Sequence, residues 1–66
     1  MSIYEKVGDN MRAKRRENGD TQAKTAEKLF LSHVQYGRIE RGVSRISLDL
    51  LSMFAEVYDV EIGGLL

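Results

Sequence analysis

Cysteine, proline and tryptophan are all missing from this sequence of 66 residues. Without cysteine there can be no disulfide staple, no thiolate metal site and no cysteine nucleophile. A single histidine and the lack of a glycine-rich phosphate loop leave no catalytic set, so neither enzyme chemistry nor a metal or cofactor is expected. No apolar run approaches the ~18 residues of a membrane span, and no signal-peptide pattern opens the chain. The expectation is a soluble intracellular protein with no membrane partner.

What is present suits packed helices. Apolar residues make up 42 % of the chain and charged residues 30 %, enough for one small core and a solvated shell. The length allows one domain, residues 1–66. A chain this short buries only ~60 % of the surface it exposes when unfolded, so modest stability is expected. The net charge of zero hides an asymmetry. Residues 1–45 hold all ten Lys and Arg against six of the ten acids, a net of +4, and residues 46–66 hold Asp49, Glu56, Asp59 and Glu61 with no base. A basic front and an acidic back can present one end to a polyanion.

The spacing predicts five helices. Ile3, Val7 and Met11 form one stripe over residues 3–18, with Arg12, Lys14, Arg15 and Arg16 near the end and Asn18-Gly19 as the stop. Thr21 caps a second helix over about 22–30, with Ala26, Leu29 and Phe30 facing inward. Ser32 opens a third, which runs to about Arg41 and ends at Gly42. Tyr36 and Ile39 lie on one side of it; His33, Val34, Gly37, Arg38 and Arg41 lie largely on the other. Tyr36 reads as core with its hydroxyl reaching the surface. Ser47 and Asp49 mark a fourth start, followed by the broad apolar face of Leu50, Leu51, Phe54, Ala55, Val57 and Tyr58. Residues 61–66 form a last short turn of helix. No strand alternation competes.

Gln22 to Glu40 is the informative stretch. It holds two short helices joined by about three residues, with the small Ala26 permitting a steep crossing and Leu29, Leu31 and Ile39 filling the elbow. Such an elbow leaves the second helix protruding, free to enter the ~12 Å major groove of B-DNA. The pieces VGDNMR at 7–12, NG at 18–19, TQ at 21–22, AEKL at 26–29, LS at 31–32, RIERG at 38–42, SLDLL at 47–51 and LL at 65–66 follow in order. Together they resemble the helix-turn-helix domain of the phage repressor and Cro superfamily. That resemblance implies a compact, all-α, five-helix domain like that of lambda repressor, with helices 2 and 3 as the helix-turn-helix.

The resemblance also implies roles, position by position. Gln22 matches a glutamine that meets a DNA phosphate. Ser32, His33, Val34 and Arg38 match the recognition-helix positions that face base edges and the adjacent backbone, with Gln35 and Gly37 at the margins. Arg38 is the prime specificity residue, because a guanidinium binds G O6 and N7 bidentately. Arg41, Ser44 and Arg45 correspond to the turn that grips the phosphodiester backbone, and Arg15 and Glu40 to an ion pair clamping helix 1 to helix 3. The partner implied is a double-stranded, pseudopalindromic operator bound by a homodimer through Leu50, Val57, Ile62, Leu65 and Leu66. The function implied is transcriptional regulation, most often repression, in the cytoplasm of a bacterium or in a phage system, at the nucleoid. The same domain serves antitoxins and restriction-modification controllers; a protein-interaction module that has lost DNA is the reading from another class.

Four positions depart from the family pattern. Lys14, Asp20 and Thr25 stand where an apolar residue is usual, and Phe30 takes the slot of the elbow glycine. Lys14 is expected to snorkel, Asp20 to cap or turn, and Thr25 to bond back to a helical carbonyl. Phe30 calls for altered dihedrals or compensating burial. The Leu65-Leu66 ending has the look of an internal cut.

Overall fold

The computed structural model describes all of residues 1–66. The chain is all-α, with helices α1 (Ile3–Glu17), α2 (Gln22–Lys28), α3 (His33–Glu40) and α4 (Leu48–Val57). The fifth element expected over 61–66 is a single turn of 3-10 helix, Ile62–Leu65, so the α-helices number four.

All four helices begin and end by the same local chemistry. Ser2, Thr21, Ser32 and Ser47 each sit in extended backbone and accept a hydrogen bond from the N–H three residues on. Ser2 with Glu5, and Ser32 with Gln35, complete reciprocal capping boxes. At the other end, Gly19, Phe30, Gly42 and Asp59 take the left-handed conformation, with φ of 72°, 59°, 75° and 52°. In each case two N–H groups turn back to the helix carbonyls. Asp20 and Gly19 donate to Arg15 and Arg16, Leu31 and Phe30 to Ala26 and Glu27. Val43 and Gly42 donate to Arg38 and Ile39, Val60 and Asp59 to Ala55 and Glu56. These are four Schellman endings.

Two of the closers are therefore not glycine. Phe30 neither alters the turn nor buries itself: it adopts the left-handed geometry and remains 87 % exposed. Its expected place on the inward face of α2 is corrected accordingly, because α2 has already ended and the reversed turn throws the ring outward.

The core gathers Val7 and Met11 from α1, Ala26 and Leu29 from the elbow, Tyr36 and Ile39 from α3, and Leu51, Phe54, Ala55 and Tyr58 from the α4 region. The Phe54 and Tyr58 rings pack at 4.6 Å, tilted by 42°. Leu65 is also core, buried under the 3-10 turn that the Asn10 side chain ties to α1 through the Leu65 carbonyl at 2.9 Å. It was expected at a dimer face; inside the molecule it cannot serve there. Ile3 departs the other way. It lies half exposed one turn beyond the end of the core.

Close packing of α1 on α3 depends on Gly8. A Cβ added there would fall 2.3 Å from the Glu40 carbonyl oxygen and 2.7 Å from that of Ile39. After α3, Gly42 rests on the backbone of Glu5, where a Cβ would lie 2.6 Å from its Cα. The end of α3 is thus seated directly on the α1 main chain.

Two substitutions test these constraints with opposite signs. Gly8→Ala must push α1 off α3 and is expected to cost about 2–3 kcal/mol. Phe30→Gly relieves a left-handed phenylalanine that packs on nothing, and is expected to stabilise by about 1 kcal/mol, raising the melting temperature by about 4–8 °C. Thermal and urea melts followed by circular dichroism measure both.

Candidate nucleic-acid interface

The interface rests on a buried carboxylate. Glu40, on the last turn of α3, is 1 % exposed. Arg15 from α1 reaches it with two donors, Nε to Oε2 at 2.7 Å and Nη2 to Oε1 at 3.1 Å. Gln22, first in α2, donates from Nε2 to Oε1 at 3.0 Å. The Tyr36 hydroxyl, one turn back on α3, donates to Oε2. Arg12 adds a longer contact from Nε at 3.4 Å, and its Nη2 reaches the Glu40 carbonyl at the same distance.

Burial alone would push the Glu40 carboxyl up, but the hydrogen bonds from Arg15, Tyr36 and Gln22 outweigh it and hold the group below its ordinary value. The same cluster raises Tyr36, chiefly by burial and then by its bond to the Glu40 carboxylate, so the phenol stays protonated as a donor. The Tyr36 hydroxyl therefore points inward, correcting the expectation that it reaches the surface. No buried side-chain nitrogen or oxygen lacks a hydrogen-bond partner.

With its inner side fixed by this cluster, α3 turns the other side outward. His33, Val34 and Arg38 are all exposed, Val34 by 63 %. Two clefts flank the helix. One, of about 290 Å³, is lined by Gln22, His33, Val34, Gly37 and Arg41. The other, of about 380 Å³, is lined by Gln35, Arg38, Ser44, Arg45 and Ser47 over Leu31, Ile39 and Leu50. Every DNA-contact candidate read from the sequence except Ser32 lines one of them. An α-helix with its side chains is about 10–12 Å across, a diameter that a major groove admits.

Three candidates carry internal bonds that bear on their roles. Ser32 is engaged as the N-cap of α3, its Oγ accepting from the Gln35 N–H at 3.1 Å. Gln35 answers with its carbonyl oxygen to the Ser32 N–H at 2.9 Å, which leaves its amide nitrogen for an outside partner. Gln22 commits one N–H to Glu40 and keeps a second N–H and its oxygen.

Sequence reasoning missed four supporting residues. Tyr36 and Arg12 join Arg15 on Glu40, Gly8 provides the close approach, and Tyr4 lies 5.8 Å from the Arg45 guanidinium, its ring beneath the cation. Gly8 alone left a signal: an interior helix glycine is costly unless backbones must touch.

The polar residues at family-apolar positions form a second network. Asp20 Oδ2 accepts from Lys28 Nζ at 2.6 Å and from the Tyr58 hydroxyl at 2.8 Å. Because that hydroxyl donates to Asp20, Thr25 donates its own to the Tyr58 oxygen, not to a helical carbonyl as expected. Lys28 first and Tyr58 second hold the Asp20 carboxyl below its ordinary value. Lys14 is half-buried and pairs with Glu17 at 3.3 Å.

Two short helices in contact, the second braced from within and flanked outside by arginines, define a helix-turn-helix module. The chain belongs to the helix-turn-helix family, whose model matches residues 11–65. Two crystal structures of the clp gene regulator ClgR from Corynebacterium glutamicum are similar to it, each at 23 % identity over 98 % of this chain. They superpose with TM-scores of 0.91 and 0.93, covering 84 % and 69 % of their own chains. At that identity the likeness establishes the shared fold. No curated protein matches the sequence.

Glu40 gives this site a pH signature. A depressed folded value means that its stabilisation is complete above the ordinary carboxyl value of 4.5 and is lost as the pH falls through the folded one. Glu40→Ala leaves Arg15 buried and unpaired and should cost about 3–5 kcal/mol. In urea melts from pH 7 to pH 3, Glu40→Gln is expected to be less stable than wild type at neutral pH, with the gap closing in acid.

Proposed function

We propose that residues 1–66 act as one helix-turn-helix domain that binds double-stranded DNA sequence-specifically, as a transcriptional regulator of the repressor kind. The observation that carries this is the two-sided character of α3: an inner side bound to a satisfied ionic cluster, an outer side with exposed His33, Val34 and Arg38 between two arginine-bearing clefts. Family membership supports it, as does the regulator whose structures share the fold.

In this reading α3 enters the major groove. Arg38 donates in bidentate fashion to a guanine, while His33 and Val34 meet neighbouring base edges. Gln22, Arg41, Ser44 and Arg45 hold the phosphates on either side, and the Gln35 amide nitrogen adds a donor at the margin. The 3-10 turn at Ile62–Leu65 stands in for the fifth helix of the family architecture.

The functional unit is a homodimer on a pseudopalindromic operator, its half-sites one helical turn or ~34 Å apart. Val57, Ile62 and Leu66 are exposed apolar residues near the C-terminal end and remain the dimer candidates; Leu65 belongs to the interior, and Leu50 is withdrawn because it lies half-buried under the cleft beside Arg38. No helix is long and apolar enough to cross a membrane. In this reading the protein acts in the cytoplasm of a bacterium or in a phage system, at the nucleoid.

Selection of duplexes from a random pool tests the reading. The wild-type protein should recover a pseudopalindromic site, with affinity falling steeply as salt rises. Arg38→Ala should relax preference at one base pair per half-site, by about 1–3 kcal/mol each. Binding that is indifferent to salt, or an unchanged preference in Arg38→Ala, would sink it. Sedimentation of free protein and complex gives the stoichiometry.

A further inference from the structure

Of the arginines around α3, Arg45 has the least local structure to hold it. Arg38 lies within the helix and Arg41 is its C-cap, so helical backbone sets where both side chains begin. Arg45 follows, exposed, in the irregular stretch between α3 and α4. It enters no ion pair, and the arginines that donate side-chain hydrogen bonds are Arg12 and Arg15 alone. Its support comes from the first turn of α1. Gly42 seats the stretch there, since an added Cβ would fall 2.6 Å from the Glu5 Cα. One residue earlier, the Tyr4 ring lies beneath the Arg45 guanidinium, 5.8 Å from its centre to Cζ. The carboxylate of that turn is already taken: Glu5 Oε1 accepts from the Ser2 N–H at 3.0 Å and closes the α1 capping box.

A carboxylate and an aromatic ring hold an arginine in different ways. A carboxylate occupies N–H donors and cancels the charge, as Glu40 does for the buried Arg15. A ring attracts the cation through its quadrupole, leaves the N–H donors unoccupied and leaves the charge whole. An arginine kept ready for an outside anion is therefore better seated on a ring than on an acid. Seating it also reduces the rotamer freedom that it loses on binding. The cleft of about 380 Å³ that Arg45 lines with Arg38 and Ser44 contains no acidic side chain. Resting on the DNA-binding reading above, we infer that Tyr4 is a positioning residue for Arg45, holding its guanidinium with the donors free for a phosphate of the DNA backbone. The first turn of α1 thereby belongs to the nucleic-acid interface, although it lies outside the residues 11–65 that the family model matches.

The test is a double-mutant cycle on the full chain, read as binding to the duplex recovered by the wild type and to a scrambled duplex of equal length. Melts of each variant set a temperature at which all are folded. Tyr4→Leu keeps an apolar side chain without the ring and should weaken binding to both duplexes by the same factor, about two- to fivefold. Arg45→Ala should weaken binding and make the slope of log K against log salt shallower by about 0.9, the share of one phosphate. In the Arg45→Ala background, Tyr4→Leu should have no further effect. Tyr4→Phe should bind as the wild type does. The same substitution made with a ring-fluorinated phenylalanine keeps the shape, removes the quadrupole and should bind as Tyr4→Leu does. Tyr4→Leu binding as well as wild type, or better, overturns the proposal, because the ring is then idle or holds Arg45 away from DNA. So does a loss that persists without Arg45, which assigns Tyr4 to the fold or to a contact of its own. A weakened Tyr4→Phe, an undiminished fluorinated ring or an unchanged salt slope in Arg45→Ala overturns it too. A wild-type protein that recovers no duplex fails at the DNA-binding reading and takes this inference with it; one that binds DNA and is indifferent to Tyr4 fails only here.

Discussion

One buried carboxylate organises the molecule. Glu40 is reached by Arg12 and Arg15 from α1, by Gln22 from α2 and by Tyr36 from its own helix, so three helices meet on two oxygen atoms. An unpaired charge at that depth would be untenable, and even a paired one adds less net stability than an apolar cluster of equal volume. Its value here is directional. The bidentate reach of Arg15 and the single orientation open to the Gln22 amide allow one arrangement of the helices, whereas an apolar contact would tolerate several. The orientation of the outward side of α3 is inherited from that cluster.

The second network does for α4 what Glu40 does for α3. Asp20, Lys28, Tyr58 and Thr25 join the α1–α2 turn to the C-terminal end of α4, and the Lys28 ammonium lies 5.3 Å from the centre of the Tyr58 ring. The two networks touch at one point, where Arg15 Nη1 donates to the Asp20 carbonyl at 2.9 Å. Eleven buried apolar residues form a small core, and small cores leave relative helix positions loosely specified. Polar residues at Asp20 and Thr25 are thus part of how this chain fixes its helices.

Much of this is visible in the order of residues, and the rest is hidden for physical reasons. Hydroxyl caps at Thr21, Ser32 and Ser47, the Asn18-Gly19 stop and the partition of α3 into two sides follow from local chemistry that any reader of the chain can apply. The closers Phe30 and Asp59 are not legible, because a Schellman ending specifies a backbone conformation and glycine is only its commonest occupant. Nor is the burial of Leu65. An apolar residue near a chain end faces inward or outward according to whether the last turn folds back, and here the Asn10 side chain on the Leu65 carbonyl secures that turn. The Arg15–Glu40 pair was implied by resemblance alone. The roles of Tyr36 and Gln22 on the same carboxylate follow only from knowing that α2 and α3 converge at the end of α1.

The eight residues of α3 divide two tasks between faces that share almost nothing. Tyr36, Ile39 and Glu40 are buried and answer to α1, α2 and the core; His33, Val34 and Arg38 are exposed and answer to whatever lies outside. Exposed positions away from caps and networks change stability by only about 0.5 kcal/mol on substitution, so the outer side can be altered without disturbing the seating of the helix. Gln22 is the exception. Its amide nitrogen belongs to the internal cluster while the residue also lines the outer cleft, so through it the buried carboxylate bears on the chemistry of that cleft. A change at Glu40 is therefore felt in two places at once: in the seating of α3, and in which atom of Gln22 is offered to a ligand.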